Sequence, residues 1–158
     1  MNSYGLIDLH CDTLAEYWKY AHTGNPDTLD DPGRVLSLSN MPKDVHWAQF
    51  YAVFIPDEER GQAAIDYFEK NRANFYRQME KFGNRVAPCR NADDMEKAWA
   101  AGKTAAFLTI ENGSALAGDL SRVHTLAEQG VRAITLTWNG ENELGSGHTT
   151  DHLSLIHI

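Results

Sequence analysis

Four mainly apolar runs, separated by longer and more polar segments, constrain the fold of this chain more than any other feature. They lie at residues 5–10, 47–55, 104–110 and 131–137. Runs of this length without polar alternation are typical of strands that are buried on both faces, as in parallel sheets. Since parallel strands need helical crossovers between them, the sequence predicts an α/β fold of parallel βα units.

The segments between these runs carry helical patterns. We expect two helical turns through Tyr17 and Trp18, followed mostly by loop. A long amphipathic helix is predicted from first-turn acids at residues 57–59 to Gly83, with Phe68 and Phe75 on its apolar face. Asn91 predicts the N-cap of a shorter helix. A third helix is expected from residue 116 to a C-terminal glycine at residue 130.

The number of these units bears on the domain organisation. About four βα units fit into the 158 residues, whereas an eight-unit barrel typically needs about 250 residues. The sequence therefore predicts an incomplete, about half, TIM-type (β/α)8 barrel. We expect residues 1–150 to form the N-terminal part of a single barrel domain. Residues 151–158 continue no pattern and are interpreted as an irregular tail, for which a non-native scar is one explanation.

Composition excludes several classes of partner. With 22 acidic and 14 basic residues the formal charge is -8, which disfavours nucleic acid and anionic membranes as the main partner. No apolar stretch approaches the roughly 18 to 20 residues of a transmembrane helix, and the N-terminus lacks a signal-peptide pattern. Cys11 and Cys89 lack metal-site or redox spacing and are expected to be reduced thiols. These features favour a cytoplasmic protein that acts on a small molecule.

His10 and Asp12 follow the first apolar run and are the first candidate metal ligands. In a strand the two-residue period places both side chains on one face, while Cys11 points to the other face. The carboxyl ends of barrel strands build the active site, and an imidazole with a carboxylate suits zinc and related divalent ions. The alternative is that His10 and Asp12 only bond to each other or cap the next turn.

Glu111 and Asn139 are the further candidates. Glu111 ends a buried apolar run, where an ionised carboxylate is costly unless a cation compensates it, so we expect a third metal ligand there. A glutamate can bridge two ions, and paired ions favour hydrolysis. The alternative is a solvated loop residue or helix cap. Asn139 is the best placed of the polar residues after the fourth run to contact substrate. The alternative, which the residues themselves favour, is an ordinary polar loop.

Three segments together resemble the membrane (renal-type) dipeptidase family, peptidase M19. DLHCDTL is similar to the D-x-H-x-D motif of that family's first strand, and LTIENG is similar to its I-E-G-G segment. GVRAITLTWNGEN resembles its G-x-R-x-x-T-L-T segment at the fourth strand. The order and separation of the three motifs agree with the family from about Leu6 to Asn142.

The resemblance implies a (β/α)8 barrel with a two-zinc centre that hydrolyses dipeptides through a hydroxide bridging the ions. By position, His10 and Asp12 would bind one zinc ion, and Glu111 would be a catalytic residue that bridges both. The family's remaining ligands come from later strands and would lie beyond residue 158. We therefore expect an N-terminal portion that is weak or inactive alone, with a dipeptide as substrate. A homodimer is left open.

Two other functions are left open by the residues. Another metal-dependent barrel hydrolase, such as an amidohydrolase or phosphotriesterase-like protein, shares the strand-one chemistry but usually has HxH there. A non-catalytic βα binding domain would use His10, Asp12 and Glu111 only structurally. That second alternative predicts that zinc and chelator leave the stability of the fold unchanged.

Overall fold

The computed structural model describes residues 4–14 and 28–151 of the chain. Its elements in chain order are β1 (Gly5–Cys11), a 3-10 turn (Thr28–Asp30), β2 (His46–Phe54), α1 (Gln62–Lys81), β3 (Val86–Pro88), α2 (Ala92–Ala100), β4 (Thr104–Glu111), a second 3-10 turn (Gly113–Leu116), α3 (Arg122–Glu128) and β5 (Val131–Ile134). The helix expected through Tyr17 and Trp18, and most of the predicted tail, lie outside the described residues.

All strand pairs in the sheet are parallel, as the sequence predicted. β1 pairs with β2, and β2 pairs with β4. Two strands share the edge of β4 that faces away from β2. β3 pairs with the first residues of β4, and β5 pairs with residues near its end. The order β1, β2, β4, β5 follows the chain as in a TIM-type barrel, and the sheet of the described residues does not close. This arrangement agrees with about half a barrel.

The two central strands are buried as predicted, since apolar layers cover both faces. On one face the core includes Tyr51 of β2 and Leu108 of β4, and α1 contributes Phe68, Phe75 and Met79 to the same cluster. On the other face Phe50 and Phe107 stack with ring centroids 4.6 Å apart. These continuous apolar strands therefore take the central positions of the sheet, where burial of apolar area stabilises them most.

The prediction that β1 and β5 are buried on both faces was wrong. In β1 the exposed fractions are 40% for Leu6, 52% for Ile7 and 68% for Leu9. β5 is shorter than predicted, and Leu136, which was assigned to that strand, follows its end with 55% exposure. Both strands lie at the edges of an open sheet, so one side of each has no strand from the described residues against it.

An apolar groove of about 880 Å³ lies beside β5 and α3. Its lining includes Leu120, Val123 and Leu136, each of which is at least 41% exposed. None of the described helices has the length and apolarity needed to cross a membrane.

The helix boundaries were predicted unevenly. Asn91 caps α2 as expected, because its side chain accepts a hydrogen bond of 2.8 Å from the Asp94 amide. α1 begins at Gln62, so the acids at residues 57–59 precede it instead of forming its first turn. The third helix begins at Arg122 and not at residue 116, because Ala117 and Gly118 have positive φ angles that interrupt the helical conformation after the 3-10 turn. β3 was not predicted.

Candidate metal centre

The three predicted ligands lie at the carboxyl ends of β1 and β4. His10 is the penultimate residue of β1, Asp12 follows the strand, and Glu111 is the last residue of β4. β2 runs between the two strands, and its last residue, Phe54, is the register partner of Glu111. Because all strands are parallel, these ends share one edge of the sheet.

The side chains of the three residues meet there. His10 Nε2 lies 3.3 Å from Asp12 Oδ1 and 3.4 Å from Glu111 Oε2. One candidate ligand atom from each residue lies within 4.8 Å of the other two. The exposed fractions of the side chains are 46% for His10, 57% for Asp12 and 20% for Glu111, so the group is open on one side.

A bulge in β1 contributes to this geometry. The pairing register with β2 shifts between Asp8 and Cys11, and the His10 amide donates a 3.2 Å hydrogen bond to the Asp8 carboxylate. Bulges of this kind redirect side chains next to functional sites. Cys11 itself points into the core, as predicted, and burial raises the pKa of its thiol to about 12.

Uncompensated negative charge is unfavourable at the site formed by His10, Asp12 and Glu111. Burial raises the pKa of Glu111 above its ordinary value, and the nearby Asp12 raises it further, whereas His10 lowers it. Two carboxylates so close together repel each other unless a cation or a proton lies between them. The arrangement therefore favours a bound positive charge.

The sequence of this chain matches the model of one known protein family over almost its full length. A family model described as membrane dipeptidase (peptidase family M19) matches residues 1–155. The chain belongs to peptidase family M19. The three motifs noted in the sequence fall inside the matched region.

Solved structures show the same fold. A structure described as dipeptidase AC, a metallopeptidase of family M19, has a TM-score of 0.76 at 19% identity and covers 92% of this chain and 46% of its own. A metallopeptidase from Rhodobacter sphaeroides, bound to a phosphinate mimic of L-Ala-D-Ala, has a TM-score of 0.78 at 18% identity, with coverages of 92% and 49%. An amidohydrolase from Pseudomonas aeruginosa has a TM-score of 0.59 at 23% identity, with coverages of 71% and 33%. The chain thus spans about half the length of the two metallopeptidase structures.

The residues of this M19 chain fit a divalent metal ion by their donor chemistry and their spacing. An imidazole nitrogen and carboxylate oxygens are the ligands that zinc and similar ions bind in hydrolases. Two atoms that bind one zinc ion tetrahedrally at about 2.1 Å lie about 3.4 Å apart. The distances from His10 Nε2 to Asp12 and Glu111, 3.3 Å and 3.4 Å, match this value.

Asn139, the predicted substrate contact of this M19 chain, is half-buried in the loop after β5. Its backbone oxygen accepts hydrogen bonds from the amide and the hydroxyl of Thr149, at 3.0 Å and 2.6 Å. The neighbouring Trp138 packs edge-on against Phe54, with ring centroids 4.7 Å apart. Since Phe54 is the register partner of Glu111, this aromatic pair lies beside the end of β4 that carries Glu111. A substrate contact by Asn139 stays a prediction.

Sequence reasoning missed a buried polar network beside the three ligands. Asp57, which was read as a first-turn helix acid, accepts hydrogen bonds from Asn112 and from the Gly140 amide. Asn112 is fully buried, and Asn142 donates to it. The signal available in the sequence was Asn112 itself, because an asparagine stands where the M19 motif I-E-G-G has a glycine.

Proposed function

We propose that His10, Asp12 and Glu111 are zinc ligands of a dipeptidase of family M19. The observation that carries this proposal is the meeting of one imidazole and two carboxylates from two strands that are not neighbours in the sheet. Membership of the family supports the reaction class, since its description is that of a dipeptidase. Zinc is proposed because its coordination chemistry suits this donor set.

The number of ions and the roles of the residues follow the same proposal. His10 and Asp12 would hold one ion together with Glu111, and Glu111 would also serve a second ion. A divalent ion held by these residues would supply Lewis-acid polarisation of the scissile carbonyl.

Glu111 is the proposed catalytic residue of the three. Its carbonyl oxygen accepts a 3.0 Å hydrogen bond from the Ile55 amide, which fixes the end of β4 to the loop after β2. Its carboxylate is the least exposed of the three side chains and faces both His10 and Asp12. Glu111 therefore presents its carboxylate to His10 and Asp12 from a backbone position that is held by a hydrogen bond.

Dipeptides are the proposed substrates. One structural relative is described with a phosphinate mimic of L-Ala-D-Ala, which supports small dipeptides as the class to test first. We propose that the substrate side chain packs against the rings of Phe54 and Trp138, with Asn139 as a polar contact. Aromatic walls with a few polar groups are typical of small-molecule sites.

The state of the isolated chain is a further part of the proposal. Because it spans about half the length of its structural relatives, we expect it to hydrolyse dipeptides weakly or not at all alone. The exposed edges at β1 and β5 support association with a second copy, so a homodimer is included in the proposal. A cytoplasmic location is also proposed.

Zinc retention and hydrolysis test the function. The chain is loaded with zinc, dialysed, and analysed for metal content and for cleavage of L-Ala-L-Ala and L-Ala-D-Ala. His10→Ala and Glu111→Gln are expected to lose the retained zinc and any chelator-sensitive hydrolysis. His124→Ala and Glu96→Gln, which change exposed residues of α3 and α2, serve as matched controls. Equal zinc retention in all five proteins would exclude the proposed ligands.

A substrate panel separates the proposed reaction from the other barrel hydrolases. N-acyl amino acids and a phosphotriester are offered alongside the dipeptides. Zinc-dependent cleavage of these compounds, with the dipeptides left intact, would favour the amidohydrolase or phosphotriesterase-like alternative.

A further inference from the structure

The side chain of Asn112 joins three loops at the edge of the sheet that carries the candidate ligands. Its Nδ2 donates to the Ile55 carbonyl at 2.9 Å and to Asp57 Oδ1 at 3.2 Å, both after β2. Its Oδ1 accepts from the Ser114 hydroxyl at 2.8 Å and from Asn142 Nδ2 at 2.8 Å. The side chain thus uses both its donor and its acceptor groups, without contact with solvent.

Further bonds make the connection between the loops continuous. Asp57 Oδ2 accepts from the Gly140 amide at 2.7 Å, and Asn142 Nδ2 also donates to the Leu136 carbonyl at 2.6 Å. Arg60 donates to the Ser114 hydroxyl at 2.6 Å. Because these groups are largely buried, removal of one partner leaves others unsatisfied at a substantial cost.

The backbone conformation at Asn112 favours glycine over asparagine. Its φ is 75°, in the region that favours glycine, and the similar family motif has glycine there. A glycine would adopt this φ without strain. The asparagine is therefore explained by the hydrogen bonds of its side chain, which offset the unfavourable backbone conformation.

The same network holds the residue before Asn112, which is Glu111. The Ile55 amide donates to the Glu111 carbonyl, while the Ile55 carbonyl accepts from Asn112 Nδ2. On the other side, the Asn112 amide donates to Thr135 Oγ1 at 2.9 Å. The end of β4 is thus clamped between the loops after β2 and β5.

We propose that Asn112 is a positioning residue, which holds the Glu111 carboxylate against His10 by clamping the end of β4. The proposal rests on the proposed function, in which Glu111 is a metal ligand. Loss of the Asn112 side chain should let the end of β4 relax and weaken metal binding while the fold persists. Groups that orient metal ligands without touching the ion typically change metal affinity by about 10 to 100-fold.

The test is a titration of the whole chain with Co²⁺. Calorimetry measures the affinity, and the visible absorption of the bound ion reports its surroundings. Asn112→Gly removes the side chain and suits the positive φ. We expect it to lower the Co²⁺ affinity about tenfold and to change the absorption spectrum. The matched control is Asn91→Ala, which removes the N-cap of α2 away from the network and should leave both readouts unchanged.

A reciprocal exchange provides the rescue. Asn112→Asp places a carboxylate against Asp57, at a separation that is 3.2 Å in the present bond, and should weaken Co²⁺ binding. Adding Asp57→Asn restores the bond between positions 57 and 112 with donor and acceptor reversed, while the Ile55 carbonyl stays without its donor, so the double variant should recover part of the affinity that Asn112→Asp loses. If Asn112→Gly fails to fold by circular dichroism, the comparison of this double variant with its two single variants decides the matter.

The outcomes separate this inference from the function on which it rests. Wild-type affinity and spectrum in a folded Asn112→Gly protein, with Co²⁺ binding still weakened by His10→Ala and Glu111→Gln, would overturn the positioning role alone. The absence of rescue in the double variant would do the same where the glycine variant is unfolded. If His10→Ala and Glu111→Gln leave Co²⁺ binding unchanged, the proposed function fails, and the positioning role fails with it.

Discussion

His10 Nε2 lies 3.4 Å from Glu111 Oε2, although the strands that carry these two residues are not neighbours in the sheet. β2 separates β1 from β4, so the contact spans the end of an intervening strand. The bulge between Asp8 and Cys11 gives β1 the local freedom to turn His10 towards Glu111. The candidate metal centre therefore forms only when the sheet brings β1 and β4 together, because neither segment contains all three residues.

The ion pair of Asp30 and Arg85 should make stability depend on acid pH. Hydrogen bonding by Arg85 lowers the pKa of Asp30, so its contribution is present above the unfolded pKa of about 3.9 and is lost as pH falls through the folded value. Because both side chains are partly exposed, Asp30→Asn should lower the free energy of unfolding at pH 7 by less than about 1 kcal/mol. Urea unfolding at a series of pH values measures this difference.

The difference between the Asp30→Asn variant and the wild type should shrink below pH 4 and vanish in stronger acid. Asp44→Asn, at an exposed position, is the control and should match the wild type throughout. A difference that persists unchanged into strong acid would contradict the assigned cause.

Both cysteine thiols should be unreactive in the folded chain. Burial raises the pKa of Cys11 to about 12 and also raises that of Cys89. At pH 8 the thiolate fraction of Cys11 is then about one in ten thousand, and the thiolate is the reactive form. Titration with a disulfide reagent should detect two thiols only after unfolding, and Cys89→Ala isolates the signal of Cys11. Rapid labelling of Cys11 in that folded variant would contradict its position in the core.

The apolar groove beside β5 and α3 should cause self-association. Contiguous exposed apolar surface promotes protein contacts, and Val123 and Leu136 lie in this groove with exposed side chains. Val123→Lys and Leu136→Lys should therefore lower the apparent mass on size-exclusion chromatography at high concentration. Val35→Lys changes a fully exposed valine elsewhere and is the control. A wild-type chain that stays monomeric at every concentration would contradict this prediction.

Much of the fold was predictable because the central strands carry unusually clear patterns. The runs that became β2 and β4 are buried and parallel as expected, and Asn91 caps its helix. β3 has three residues and ends in Pro88, so it leaves no periodicity to detect. The exposure of Leu9 in β1 depends on which strands lie beside it, and an apolar run cannot encode that information.

The candidate site was predictable only where strand geometry determined it. His10, Asp12 and Glu111 could be placed together because parallel strands bring their carboxyl ends to one edge. Asp57 and Asn112 could not be connected in this way, since the link depends on loop conformations and on a positive φ at Asn112. Loop contacts between distant residues have no periodic signal in the sequence.

Zinc-dependent thermal stability is the most direct measurement of the central claim, that His10, Asp12 and Glu111 form a metal centre. A ligand that binds only the folded chain stabilises it by about 2.7 kcal/mol at a free concentration one hundred times its Kd. We expect zinc to raise the melting temperature of the wild type and of His124→Ala and Glu96→Gln, and chelator to reverse the increase. His10→Ala and Glu111→Gln should show no zinc-dependent shift. A wild-type melting temperature that zinc leaves unchanged, or the same shift in all variants, would contradict the claim.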